Sequence, residues 1–208
     1  MNARKTVELH GRSSSHFTRV ARIFAAELGV PLDFRPVMDL TSLDPNVYAG
    51  NPALKVPTLV DEQGPLFGAE NICRVLLDLS GKPRASVILR GDVSARAVAN
   101  AEELTLHVMT CEVSVLMAKA AGGAVPPKVT PSLHNSLRYL DETIGVALAA
   151  LPSGRLLSFL EATLYCVLTH LEFREIADVS PFQALRGFCL RFGERESAKA
   201  TPYRFDAA

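Results

Sequence analysis

Apolar and polar positions change period several times in the first eighty residues. From Thr6 to His10, Val7 and Leu9 fall on one side, the period-two pattern of a short strand that ends at Gly11. Ser13, Ser14 and Ser15 follow, three residues of a type that caps helix N-termini. Phe17, Val20, Phe24 and Leu28 then recur at steps of three and four, one apolar face of a helix that Gly29 closes. Leu32 to Val37 reads as a second strand; Pro31 and Pro36 flank it, so pairing is expected near its middle only. Residues 38–54 carry Asp, Ser, Asn, Gly and Pro without period and predict a loop with one short helix. Thr58 to Val60, a turn at Glu62–Gly64 and Pro65 to Phe67 predict a hairpin, and Ile72, Val75, Leu76 and Leu79 a second helix. Two strands joined through a helix must be parallel under the right-handed crossover rule. The hairpin is antiparallel, so the half predicts an α/β domain with a mixed four-stranded sheet and helices.

Beyond residue 86 only helical stripes remain. They are Leu106, Met109, Val113, Leu116 and Met117; Leu133, Leu137, Leu140, Ile144, Leu148 and Leu151; Leu160, Leu164, Val167, Leu168 and Leu171; and Phe182, Leu185, Phe188 and Phe192. Stripes of this kind are core. Ser158 and Glu161 have capping-box spacing and should start the third helix. The polar tail from Glu194 to Ala208 is expected to lie over the surface. The domain division is therefore 1–80, a linker at 81–86, and an all-α helical bundle at 87–208.

Composition excludes several classes. Lys and Arg number 22 and Asp and Glu 22, so there is no net charge to displace the counterions of a nucleic acid. No apolar run approaches the ~20 residues that cross a bilayer, and the segment from Met1 to Thr6 leads into a strand and not into a secretory h-region. Cys73, Cys111, Cys166 and Cys189 form no C-x-x-C pair, which disfavours a disulfide framework and a zinc knuckle and points to a reducing cytosol. His10, His134 and His170 show no metal spacing, so no metal is expected. The apolar neighbours of His107 mark it as a core histidine.

Three segments carry candidate chemistry. At the strand-to-helix junction, a hydroxyl of Ser13–Ser15 can cap the helix or, beside free N–H groups and the positive end of the dipole, face an anion. Val56-Pro57 precedes a strand, where a residue without an N–H belongs; a cis bond there would turn the Val56 N–H and C=O outward toward an extended peptide-like ligand. Glu70 and Asn71 stand in the first turn of a helix, where the dipole alone favours an acid. Alternatively, Glu70 accepts from an ammonium while Asn71 and the helix N–H groups hold a carboxylate.

Their order and spacing supply what each lacks alone. Leu9-His-Gly-Arg-Ser-Ser-Ser15, Asn51-Pro-Ala-Leu-Lys-Val-Pro57-Thr-Leu and Glu70-Asn71-Ile72 resemble the thioredoxin-like domain of cytosolic glutathione S-transferases. The middle motif is the most specific, and the helical second half with its capping box fits the family's C-terminal domain. The resemblance implies glutathione as co-substrate, a small hydrophobic electrophile, a homodimer and a cytoplasmic location, with no nucleic acid, membrane or metal. It assigns Ser15, or Ser14 one position earlier, to the sulfur. Pro57 becomes the cis-proline, Val56 the partner of the cysteinyl backbone, Lys55 a contact to the glycyl carboxylate, and Glu70 with Asn71 the holders of the γ-glutamyl end. The first C-terminal helix, through His107, Met109 and Cys111, offers candidates for the electrophile site.

The chain departs from the family pattern in two places. Asn71 stands where Ser is usual, and His16 replaces a frequent Pro. No Tyr lies near the N-terminus and no Cys in the active-site segment, which disfavours tyrosine-using classes and disulfide exchange. The Ser-Ser-Ser-His run is similar to that of serine-using, bacterial zeta- and theta-like members. The alternatives are therefore a glutathione-dependent isomerase of the maleylacetoacetate kind and a non-catalytic glutathione binder of the same fold.

Overall fold

A computed structural model describes residues 6–207; Met1 to Lys5, most of the segment for which no secretory leader is expected, lie outside the described residues. The chain forms two compact units. One is made of residues up to Val87 together with Arg195 onward, the other of Ile88–Glu194.

The first unit is built on a four-stranded sheet. Strand β1 (Val7–Gly11) runs into helix α1 (His16–Leu28), then β2 (Leu32–Pro36), the hairpin β3 (Thr58–Asp61) and β4 (Gly64–Phe67), and helix α2 (Ala69–Ser80). The spatial order is β2-β1-β3-β4. β1 and β2 are parallel, while β3 is antiparallel to both β1 and β4. Of the expected stripes, Phe17 and Val75 are only half-buried and Leu79 is exposed, whereas Leu9, Val20, Phe24, Leu28, Leu59, Ile72 and Leu76, joined by Ile23, are fully buried. Each contributes on the order of 1.5–3 kcal/mol by leaving water. Gly29 ends α1 at φ 69°, and Val30 N–H reaches back to Ala25 C=O at 2.9 Å, the paired bonding of a left-handed C-cap. The loop over 38–54 holds one 3-10 turn, Pro45–Tyr48.

Pairing of β2 is fuller than its prolines suggest. All five residues are in register with β1, through to Pro36 opposite Gly11. β2 is the sheet edge, where the missing N–H of a proline breaks no ladder.

The second unit contains α3 (Arg96–Ala120), α4 (Val129–Ala149), α5 (Phe159–Phe173) and α6 (Gln183–Gly193). The expected stripes of α4, α5 and α6 are buried except at Leu148 and Phe182, which are half-buried, and Tyr165 stacks on Phe192 at 4.7 Å. Ser158 caps α5: its Oγ accepts from Glu161 N–H at 3.1 Å while Glu161 accepts from Ser158 N–H at 3.0 Å. Arg155 grips the same carboxylate with two bonds of 2.9 and 2.8 Å, and the Glu161 bonds hold its guanidinium above the usual arginine pKa.

The buried face of α3 is not the apolar stripe expected. It runs through Val98, Thr105, Val108, Met109, Glu112 and Val115, while Met117 is 57 % exposed. A pattern of apolar residues alone misses it because a carboxylate belongs to the face: Glu112 binds His170 Nδ1 at 2.8 Å with both side chains buried. His107 is also misread, since it is exposed and bonds to Ser132. Among the described residues no helix is long and apolar enough to cross a membrane.

The tail is where the domain division differs most from the sequence reading. From Arg195 onward it joins the first unit, through helix α7 (Glu196–Lys199) against α1. Glu27 accepts from Arg195 at 3.1 Å and from Ser197 Oγ at 2.6 Å, and Ser197, Ala198 and Thr201 are buried.

Candidate functional site

Strand register brings the three chemical segments to one end of the sheet. His10 of β1 lies opposite Thr58 of β3, and Thr58 opposite Phe67 of β4. Just past that row the chain leaves β1 toward Ser13–Ser15, enters β3 through Val56-Pro57, and leaves β4 toward Glu70 and Asn71.

Ser15 is the N-cap of α1, with extended backbone and an Oγ that accepts from Thr18 N–H at 3.3 Å. Its own hydroxyl hydrogen has no acceptor among the described residues, so the group can cap the helix and still donate outward. Ser15 is half-buried, whereas Ser14 is 8 % and Ser13 1 % exposed. Ser13 Oγ is taken by Arg22 at 3.4 Å. The turn closes with Ser15 N–H on Arg12 C=O at 3.0 Å, and Arg12 N–H bonds to Thr18 Oγ1 at 3.3 Å. That buried threonine, absent from the sequence reading, requires glycine at position 11: a Cβ there would come 2.4 Å from Thr18 Cγ2.

The second segment is riveted by Asn51, 3 % exposed, whose side chain donates to Lys55 C=O at 2.9 Å and accepts from Ala53 N–H at 3.0 Å. Leu54 sits at φ 54°, a left-handed conformation uncommon for a branched side chain. The Val56–Pro57 peptide is cis. Among the described residues neither the N–H nor the C=O of Val56 has a partner, and the exposed Lys55 ammonium has no ion pair.

At the start of α2 the N-cap is Gly68, φ 90°, which supplies no side-chain bond. The amides of Ala69, Glu70 and Asn71 find no acceptor among the described residues, leaving an open set of N–H donors at a helix N-terminus. The side chains above them are engaged locally. Glu70 Oε1 meets Arg74 at 2.8 Å and Asn71 Nδ2 donates to Phe67 C=O at 3.0 Å. An exposed i,i+4 pair of this kind is worth only ~0.3–0.5 kcal/mol and yields easily to a ligand ammonium.

The electrophile candidates on α3 fare less well. Met109 is fully buried and Cys111 4 % exposed, so neither presents an open surface within its unit. Cys111 Sγ lies 3.3 Å from His107 Nε2 and 3.6 Å from Ser132 Oγ, a small polar cluster joining α3 to α4. Among the four cysteines only Cys189 is part-exposed.

Residues 9–84 match the family model of the glutathione S-transferase N-terminal domain. A glutathione S-transferase from Methylobacillus flagellatus KT with GSH bound superposes with a TM-score of 0.76 at 21 % identity, covering 95 % of this chain and 100 % of that one. A glutathione transferase family member from Pseudomonas fluorescens Pf-5 with bound glutathione gives 0.75 at 18 %, covering 95 % and 99 %. A glutathione S-transferase from Methylobacterium radiotolerans JCM 2831 in complex with glutathione sulfonate gives 0.70 at 18 %, covering 98 % of each chain. No curated protein matches the sequence. The family match is thus confined to residues 9–84, and the solved structures share the fold of the chain, a thioredoxin-like sheet of order β2-β1-β3-β4 followed by a helical domain.

Proposed function

We propose that the chain binds glutathione at the end of the sheet and, as a serine-using transferase, activates it as a thiolate that attacks a hydrophobic electrophile. The observation that carries this reading is the Ser15 hydroxyl, fixed by Thr18 N–H on one side and free to donate on the other. A free thiol has a pKa near 8.5, so only a few per cent is nucleophilic thiolate at neutral pH. Lowering it by ~2 units takes about 2.7 kcal/mol. A charge-assisted hydrogen bond supplies about 1.5–3 kcal/mol, and the positive end of α1 adds to it.

In this arrangement the Val56 N–H and C=O pair with the cysteinyl backbone, and Lys55 reaches the glycyl carboxylate. Glu70 exchanges Arg74 for the γ-glutamyl ammonium. The open amides at the start of α2, with Asn71, take the α-carboxylate. Ser14 remains the alternative partner of the sulfur, but its burial favours Ser15. The protein then works as a homodimer in a reducing cytosol, the two-fold dimer being the commonest assembly.

The test is turnover of glutathione with a broad panel of electrophiles, wild type against Ser15→Ala. Loss of glutathione from solution with formation of a thioether supports a transferase. Product formation without glutathione consumption identifies an isomerase. Tight binding with no turnover on any substrate identifies a binder, and equal rates in the two proteins remove Ser15 from the chemistry.

A further inference from the structure

The Ser13–Ser15 turn is anchored from the far end of the chain. Ser13 N–H donates to the Asp206 carboxylate at 2.8 Å, across 193 positions of sequence. The Asp206 side chain is 5 % exposed. The approach to it is built as a strap along α1, all within the first unit. Arg195 and Ser197 hold Glu27, and Arg19 donates to Ala198 C=O at 3.3 Å. The Arg19 guanidinium also lies 4.3 Å above the Tyr203 ring.

Arg204 Nε is 3.8 Å from the Asp206 carboxylate, on the strap itself. From α1, Arg22 donates to Ser13 Oγ, so amide and hydroxyl of Ser13 are each held by a charged side chain. Burial and the neighbouring Arg204 hold Arg22 below the usual arginine pKa, and Asp206 works against both.

Of the turn residues, Arg12 and Ser15 are tied by bonds inside the segment, to Thr18 and to each other. The Ser13 amide has only the strap. We propose that Asp206 is a positioning residue: by fixing the Ser13 amide it holds the turn that aims the Ser15 hydroxyl. This rests on the thiolate reading above for its kinetic consequence, but not for its structural one. Asparagine can accept the same N–H through its side-chain oxygen, whereas alanine cannot.

The experiment compares wild type, Asp206→Asn and Asp206→Ala as full chains. Amide hydrogen exchange is followed over residues 12–18 and, as an internal reference, over β3. Turnover with glutathione is followed against pH. Expected for Asp206→Ala are faster exchange at 12–18 with β3 unchanged, a kcat lower by about tenfold, a KM for glutathione within about twofold, and a pH midpoint moved up. Asp206→Asn should restore exchange and kcat to near the wild-type values. Equal exchange in all three proteins overturns the proposal, as does an Asp206→Ala enzyme with unchanged kcat and pH midpoint. If both variants lose activity equally, charge and not the held amide is responsible, and the proposal fails. If the wild type binds no glutathione, the functional reading falls instead, and the exchange comparison alone decides the role of the strap.

Discussion

Two helices of the first unit begin at the same end of the sheet, and they begin differently. α1 starts with a serine whose hydroxyl caps the helix and retains a donor; α2 starts with a glycine that offers no side chain at all. At α1 the turn is half-buried and held by Thr18, Arg12, Arg22 and Asp206. At α2 the backbone amides stay open while Glu70 and Asn71 lean on exposed neighbours. A helix terminus is thus specialised by its cap. A fixed hydroxyl suits a single-atom anion such as a sulfur, where placement decides the pKa. A set of open N–H groups suits a carboxylate, which can spread over several donors.

Substitutions at the two starts should therefore fail in different ways. The largest effect is expected for Ser15→Ala: on the proposed function it removes a bond of about 1.5–3 kcal/mol to the thiolate and lowers kcat about 10- to 100-fold. Steady-state kinetics against pH gives the sign. Turnover rises as pH passes the thiol pKa, so an alanine that leaves the thiol less acidic moves that rise to higher pH. Gly11→Ala comes next. Its Cβ would collide with Thr18, and thermal unfolding should show a loss of about 1–3 kcal/mol, as overpacking does. At α2 the cause differs: a Cβ on Gly68 would meet only Asn71 Nδ2 at 3.6 Å, and Gly68→Ala loses stability through its left-handed φ of 90° instead. Glu70→Gln should weaken glutathione binding about three- to tenfold by calorimetry while leaving kcat unchanged, the signature of uniform binding. Smallest is Arg74→Ala. It frees Glu70 from a surface pair worth under ~0.5 kcal/mol, so unfolding should barely move. A large loss of affinity there would contradict the view that Arg74 merely occupies Glu70.

Much of this was legible in the sequence because it is local. Most of the period-two and period-3.6 stripes of the first unit, a cap within Ser13–Ser15, the Gly29 terminator and the Ser158–Glu161 box depend on neighbours within four or five positions. What was not legible depends on distance. Asp206 reaches Ser13 across nearly the whole chain, and nothing around either residue announces the other. The same holds for α3, whose buried face contains Glu112 because His170, 58 positions later, completes it. At Glu70 the sequence indicated an acid in a first turn but not its resting partner. Arg74 lies one helical turn on, at a spacing that pairs opposite charges on any helix. Pro36 was underestimated for a topological reason, since the edge position that tolerates it is visible only once the strand order is known.

Whether Ser15 acidifies a bound thiol is decided by the pKa of the glutathione thiol in the binary complex, read from thiolate absorbance across a pH titration of wild type and Ser15→Ala. A value about two units below that of the free thiol in the wild type, returning most of the way in the variant, is the predicted result. An unshifted thiol in the wild type, or the same lowered value in both proteins, would contradict it.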